Sequence, residues 1–121
     1  MHMYDRDGSP ISVEEWSRLH NDRQYIRIGE TTIGNYVVST VWLGIDHSWD
    51  KGRPVIFETM VFTSSAWTAD RSDPDRDPLL ELDCVRYSTE REARKGHRDM
   101  CTLVRATTQE VPSEAPSEPQ K

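Results

Sequence analysis

Long apolar runs are missing from this 121-residue sequence. No stretch approaches the ~20 apolar residues that a membrane-spanning helix needs, and no basic-then-apolar signal peptide opens the chain. We therefore expect a cytoplasmic protein that has no membrane partner. Cysteine is scarce as well: Cys84 and Cys101 are the only two and have no CxxC spacing, so we expect reduced thiols and no zinc site.

Catalytic motifs are also missing. The chain has no Gly-x-Ser-x-Gly elbow and no cysteine in a histidine-paired motif. Four aspartates between residues 70 and 77 lack the glycine-punctuated register and the closing glutamate of an EF-hand. We therefore expect a protein that is not an enzyme, that holds no metal ion and that needs no cofactor.

The composition allows one domain. Apolar residues make up 35% of the chain, which at this length is enough for one core between two layers of secondary structure. The 15 basic and 21 acidic residues give a formal charge of −6, which argues against non-specific binding of nucleic acid. We therefore expect proteins rather than nucleic acids as partners.

The two ends of the chain differ from its middle. Met1 and His2 precede a second methionine, Met3, and are interpreted as a cloning remnant. From Thr107 onward the sequence TTQEVPSEAPSEPQK repeats Pro-Ser-Glu and has too little apolar surface to fold. The sequence therefore predicts one domain over residues 3–106 and a disordered tail over residues 107–121.

Two capping boxes predict the helices. Ser12 with Glu15 opens a short N-terminal helix that ends near residues 21–22, and Thr89 with Glu92 opens a longer C-terminal helix. One apolar face follows the second box at helical spacing. Its residues are Ala93, Gly96, His97, Met100, Leu103 and Val104.

The middle of the chain predicts an antiparallel sheet of four to five strands. The β-rich segments are residues 25–33, interrupted by a turn at Gly29–Glu30, then 36–43, 55–62 and 79–87. Residues 63–78 are polar and acidic and predict a surface loop. The fold class is therefore α+β, with the helices on one side of the sheet and a disordered C-terminal tail.

The loop after the second long strand carries the best candidate site. Asp46, His47, Trp49 and Arg53 are predicted to form a binding surface, because an indole among charged groups is a common interface anchor. An alternative uses Asp46 and His47 with Glu58 of the next strand as a catalytic metal site. In the structural interpretation, Asp46 closes a turn and Glu58 pairs with an arginine or a hydroxyl of the facing strand.

The C-terminal helix carries two further features. His97 faces the apolar side beside Gly96, which predicts a packed, hydrogen-bonded core histidine. Basic residues from 86 to 98 alternate with acidic ones, which predicts a solvated, salt-bridged face. The basic residues are Arg86, Arg91, Arg94, Lys95 and Arg98.

Three segments carry a resemblance that covers roughly residues 3–104. They are MYDRDGSPIS-x-EEW, then STVWLGIDHSW with G-x-P-x-IFETMVF, then RYSTE with A-x-x-GH. They resemble a group of small uncharacterised proteins encoded by actinobacterial phages and prophages. The resemblance implies a phage origin and action in the cytoplasm of a host cell, without implying a mechanism or a cofactor.

We therefore expect a small phage-encoded accessory protein that binds a host or phage macromolecule without turnover. The alternatives are a small metal-dependent hydrolase or nuclease using Asp46, His47 and Glu58, and a minor structural component of the phage particle. The predicted central strands are apolar on both faces, and two short helices leave part of the sheet uncovered. A two-fold homodimer is the simplest way to cover it.

Overall fold

The structure is a computed structural model that describes residues 2–46, 52–68 and 81–109 of the chain. The strands are β1 Met3–Tyr4, β2 Pro10–Ile11, β3 Arg27–Ile33, β4 Tyr36–Trp42, β5 Phe57–Thr63 and β6 Glu81–Tyr87. The helices are α1 Val13–His20, α2 Arg23–Ile26, α3 Ser64–Thr68 and α4 Glu90–Gln109. The predicted α+β class is confirmed.

Four strands form one antiparallel sheet in the order β3-β4-β5-β6, and β1 with β2 forms a separate two-stranded ribbon. The register of β4 with β5 runs from Tyr36 opposite Thr63 to Trp42 opposite Phe57. The ribbon closes through a turn in which Gly8 has a φ of 87° and donates its N–H to the Asp5 carbonyl. The sequence did not predict this ribbon.

Two details of the first long strand correct the prediction. Tyr25 and Ile26 belong to α2, because Asp22 caps a short helix by accepting from the N–H groups of Gln24 and Tyr25. Gly29 lies inside β3 at a bulge instead of ending a strand. A Cβ there would lie 3.0 Å from the His97 ring. This glycine therefore makes room for the histidine and does not form a turn.

Helix α4 lies across one face of the sheet and covers most of the core. A first cluster joins it to α1 and the strand ends: Leu19, Ile28, Trp42, Ile56, Phe57 and Ala93. A second lies toward its C-terminus: Val38, Val61, Met100, Cys101 and Val104. Leu103 was predicted on the inner face but is 54% exposed, and Cys101 takes the inner position.

One of the two predicted capping boxes is complete and the other is half formed. The Glu92 N–H donates to Thr89 Oγ1 and the Thr89 N–H donates to Glu92 Oε1, so the box of α4 is complete. In α1 the Glu15 N–H donates to Ser12 Oγ, but the carboxylate of Glu15 binds Arg18. The sequence therefore located both starts and only half of the first box.

The predicted C-terminal end of the domain needs correction. α4 continues past residue 106 to Gln109, and the hydroxyls of Thr107 and Thr108 donate to helix carbonyls one turn back. Residues 110–121 of the predicted tail lie outside the described residues, as does Met1. The carbonyl of His2 accepts from the Asp46 N–H at 3.4 Å. The predicted loop over residues 63–78 begins with the last residue of β5 and then α3, and its residues 69–78 also lie outside the described part.

Candidate functional site

The predicted binding loop is described at its two ends. Asp46 Oδ1 accepts from the Val55 N–H at 2.9 Å, which closes the loop as a structural role requires. Arg53 is 68% exposed and its Nη2 lies 3.0 Å from Glu92 Oε2. This ion pair joins the end of the loop to the first turn of α4. This contact lowers the pKa of Glu92. His47 and Trp49 lie outside the described residues.

Glu58 has the partner that the structural interpretation expected. Its side chain is buried, and its Oε2 accepts from Arg86 Nε at 2.9 Å and from Cys84 Sγ at 3.3 Å, both on β6. Arg86 therefore belongs to this contact and not to the basic surface of α4. In the part of the chain that the structure describes, no three His, Cys, Asp or Glu side chains converge to hold a metal ion.

His97 is a packed residue that holds α4 to the sheet. Its Nδ1 lies 2.7 Å from Thr40 Oγ1 and its Nε2 lies 2.9 Å from Thr31 Oγ1. Burial lowers the pKa of His97, because the charged ring loses water. The imidazole is therefore neutral near pH 7, with one nitrogen donating and the other accepting.

The histidine belongs to a longer chain of hydroxyls across the sheet. Thr40 and Thr59 are fully buried and bonded to each other, and the Tyr87 hydroxyl donates to Thr59 Oγ1 at 3.1 Å. A consistent set of donors runs from Tyr87 through Thr59 and Thr40 to Nδ1, and leaves Nε2–H to donate to Thr31. Each hydroxyl in this hydrogen-bonded series has a partner, which fits a structural role for His97.

A charged surface lies at the start of α4, where three distant segments meet. It consists of two adjoining depressions of about 360 Å³ and 480 Å³ that share Asp7 and Glu90. The segments are the β1–β2 turn, the end of the predicted loop and the first turns of α4. Five arginines line this surface, which we call the arginine groove: Arg6, Arg53, Arg91, Arg94 and Arg98.

Glu90 organises the groove by binding two arginines. Arg6 donates through Nε at 2.8 Å and Nη2 at 2.6 Å, and Arg94 donates through Nε at 2.9 Å. These charged bonds lower the pKa of Glu90 to about 2, so it remains a carboxylate at neutral pH. Its charge is shared between two guanidinium groups, which leaves the groove with excess positive charge.

Arg6 also fixes the N-terminal ribbon to the rest of the fold. Its Nη1 donates to the Tyr25 carbonyl at 3.0 Å, its backbone N–H donates to the Tyr25 hydroxyl, and its guanidinium lies 5.3 Å from the centre of that ring. The hydrogen bond to Glu90 is the main cause of the raised pKa of Arg6. Arg6 is therefore a structural member of the groove.

The sequence identified the basic run on α4 but not this groove. Arg6 stood in a turn and Arg53 in a loop, and nothing local to either residue shows that it meets α4. The only available signal was the excess of basic residues between Arg91 and Arg98, which a solvated face explains equally well.

No family description, curated protein or solved structure matches this chain. Among the helices of the described residues, none has the length and apolar character to cross a membrane.

Proposed function

We propose that this chain is a small phage-encoded accessory protein that acts in the host cytoplasm by binding a host or phage protein, without turnover. Its docking surface is the loop of residues 45–53 together with the arginine groove. The observation that carries this proposal is the groove itself, because five arginines gather from three segments of a chain whose formal charge is −6.

The engagement of the other candidate residues supports binding over catalysis. Asp46 closes its loop, Glu58 neutralises Arg86, and both nitrogens of His97 are bonded to threonines. A hydrolase that used Asp46, His47 and Glu58 would first have to break two of these contacts. Arg53 ends the predicted loop and also lines the groove, and its contact with Glu92 holds it beside the first turn of α4.

Affinity purification from phage-infected cells tests the proposal. We expect a protein that is captured by the wild-type chain and lost with Trp49→Ala, because an indole anchor carries much of an interface's affinity. The matched control is Val13→Ala, which removes an exposed apolar side chain on α1 and should retain the same protein. Both variants should melt within a few degrees of the wild type.

Three outcomes would overturn this function. The first is equal capture by the wild type and Trp49→Ala, and the second is unfolding of Trp49→Ala, which would assign Trp49 to the core. The third is recovery of the chain in purified phage particles at a fixed copy number, which would make it a structural component. A gain in melting temperature with Mn²⁺ or Zn²⁺ that Asp46→Asn abolishes would favour the hydrolase alternative.

We also propose a homodimer formed through the flank of α4 that faces β6. Leu103 on α4 and Val85 on β6 are large apolar side chains that are 54% and 39% exposed. Val85 is on the sheet face that α4 covers, because it stands opposite Thr59 in the register of β5 with β6. An apolar depression of about 220 Å³ adjoins Leu103, and a second copy would bury it.

The mass in solution tests the dimer. Light scattering at ~100 µM should return twice the chain mass for the wild type and for Val13→Lys, and the monomer mass for Leu103→Lys. A monomeric wild type at that concentration would contradict the dimer.

A further inference from the structure

One side of α4 carries four arginines in a narrow arc. Residues 91, 94, 98 and 105 fall within about 60° of one another on a helix that turns 100° per residue, and they span about 21 Å of its axis. We call Arg91, Arg94, Arg98 and Arg105 the arginine arc. The arc extends the arginine groove toward the C-terminal end of α4.

Three of the four arginines have no carboxylate partner among the described residues. Arg94 binds Glu90, whereas Arg91, Arg98 and Arg105 are exposed and make no ion pair within the described part of the chain. The one lysine of α4, Lys95, is paired with Asp99 at 2.7 Å. The unpaired three recur every seven residues, so they lie on one line about 10.5 Å apart.

We propose that the arginine arc binds a short acidic segment of the partner protein. This inference rests on the proposed binding function and adds the chemistry of the partner. A guanidinium presents two parallel N–H donors that match one carboxylate, so a row of arginines selects a row of aspartates or glutamates. The line of Arg91, Arg98 and Arg105 sets the length of that row at about 21 Å.

The surroundings of the arc favour a short acidic segment over a nucleic acid. Asp7 and Glu90 lie at its start. A long polyanion would pass these carboxylates within about one Debye length, ~8 Å at physiological salt, and would be repelled. Helix α4 also has no Phe, Tyr or Trp on which a base could stack.

Exposed ion pairs contribute little each, so the arc by itself gives only weak affinity. Its expected roles are to speed association and to fix the orientation of the partner against the loop of residues 45–53. Both effects weaken as salt rises, which gives the arc a measurable property that an apolar contact lacks.

Titration of the purified, isotope-labelled full chain with a twelve-residue Glu-rich peptide tests the inference by NMR. We expect saturable shifts of the amides between residues 91 and 105, with affinity that falls as NaCl is raised. Arg91→Gln/Arg98→Gln should weaken binding about fivefold, since two of the three unpaired cations are lost. The control Arg18→Gln/Arg23→Gln removes the same charge from α1 and α2 and should keep the affinity within about twofold.

Each other outcome would overturn the inference. A twelve-nucleotide single strand that binds the same amides more tightly at equal salt would make the arc a nucleic-acid site. Shifts without a preference for residues 91–105, or equal weakening in the control variant, would reduce the effect to overall charge. The titration uses no host material, so its failure is distinct from a failure of the Trp49-dependent capture that tests the binding function.

Discussion

The inner side of α4 packs against other residues of this protein, whereas the side chains of its arginine arc are exposed and make few contacts within it. On the inner side Ala93 is fully buried, Gly96 accommodates the phenol of Tyr87, and His97 binds two threonines. On the arc, Arg91, Arg98 and Arg105 are exposed and lack a carboxylate within the described residues. One helix therefore separates the residues that hold the fold from those available to a partner.

Truncating the inner side should give the largest effect. Met100 is 6% exposed and Leu103 is 54% exposed on the same helix. Met100→Ala should lower the free energy of unfolding by about 3 kcal/mol, because it removes buried methylenes and leaves a cavity. Leu103→Ala should cost less than about 1 kcal/mol in the monomer. Urea unfolding of both variants at low protein concentration measures the difference, and equal losses would contradict the assignment of the two faces.

The substitution Gly96→Ala should change the free energy of unfolding less, and in the direction opposite to that usual for a glycine in a helix. Alanine in place of glycine normally stabilises a helix by about 1 kcal/mol. A Cβ on Gly96 would overlap the phenol of Tyr87, so Gly96→Ala should instead destabilise the protein by about 1–2 kcal/mol. Thermal melts of Gly96→Ala alone and with Tyr87→Ala test this, because the loss should shrink in the second background. A stabilised Gly96→Ala would show that the two elements are not in close contact.

His97 should make the stability depend on pH. Its pKa is lower in the folded protein than in the unfolded chain, so the neutral ring stabilises the fold above about pH 6.5, and this contribution is lost as the pH falls below that value. His97→Leu should cost about 1–2 kcal/mol at pH 7.5 and flatten the pH profile between 7.5 and 5.5. Urea midpoints over that range test it. An unchanged slope in the variant would assign the pH dependence to other groups.

Changing the arc should affect stability least. Arg91→Gln/Arg98→Gln should leave the free energy of unfolding within about 0.5 kcal/mol of the wild type, because both side chains are exposed and make no ion pair with the described residues. Circular dichroism melts check this directly. A loss of several degrees would mean that the arc is bound within the protein and is not free for a partner.

Local sequence signals predicted the parts of the fold that depend on a few neighbouring residues. The box of Thr89 and Glu92 located the start of α4, and the β-branched run before Trp42 located β4. The same signals failed at Gly29, because a glycine that opens a turn and one that admits a histidine ring look alike in one sequence. Leu103 was misplaced for a similar reason, since periodicity tolerates an error of one position at the edge of an apolar face.

The candidate site was predicted less well than the fold. The structural interpretation expected the contacts of Asp46 and Glu58, which close a loop and pair two strands, but not the contact of Arg53 with Glu92. The binding role of the loop stays a prediction. The arginine groove was not predicted, because Arg6 meets Glu90 across 84 residues of the chain. No periodicity or spacing relates positions that far apart.

The sequence was sufficient to predict the starts of α1 and α4, the long strands β4, β5 and β6, the amphipathic character of α4 and the formal charge of −6. Caps and periodicity are interactions within one or two turns or along one strand, so they can be read without knowing the fold. The tertiary structure was needed to show that Gly29 makes room for His97 and Gly96 for Tyr87. It was also needed to show that His97 joins a series of hydrogen-bonded hydroxyls and that Arg6 reaches Glu90. These features arise where the packing of α4 on the sheet brings distant segments within a few ångströms, a distance that neighbours along the chain do not fix.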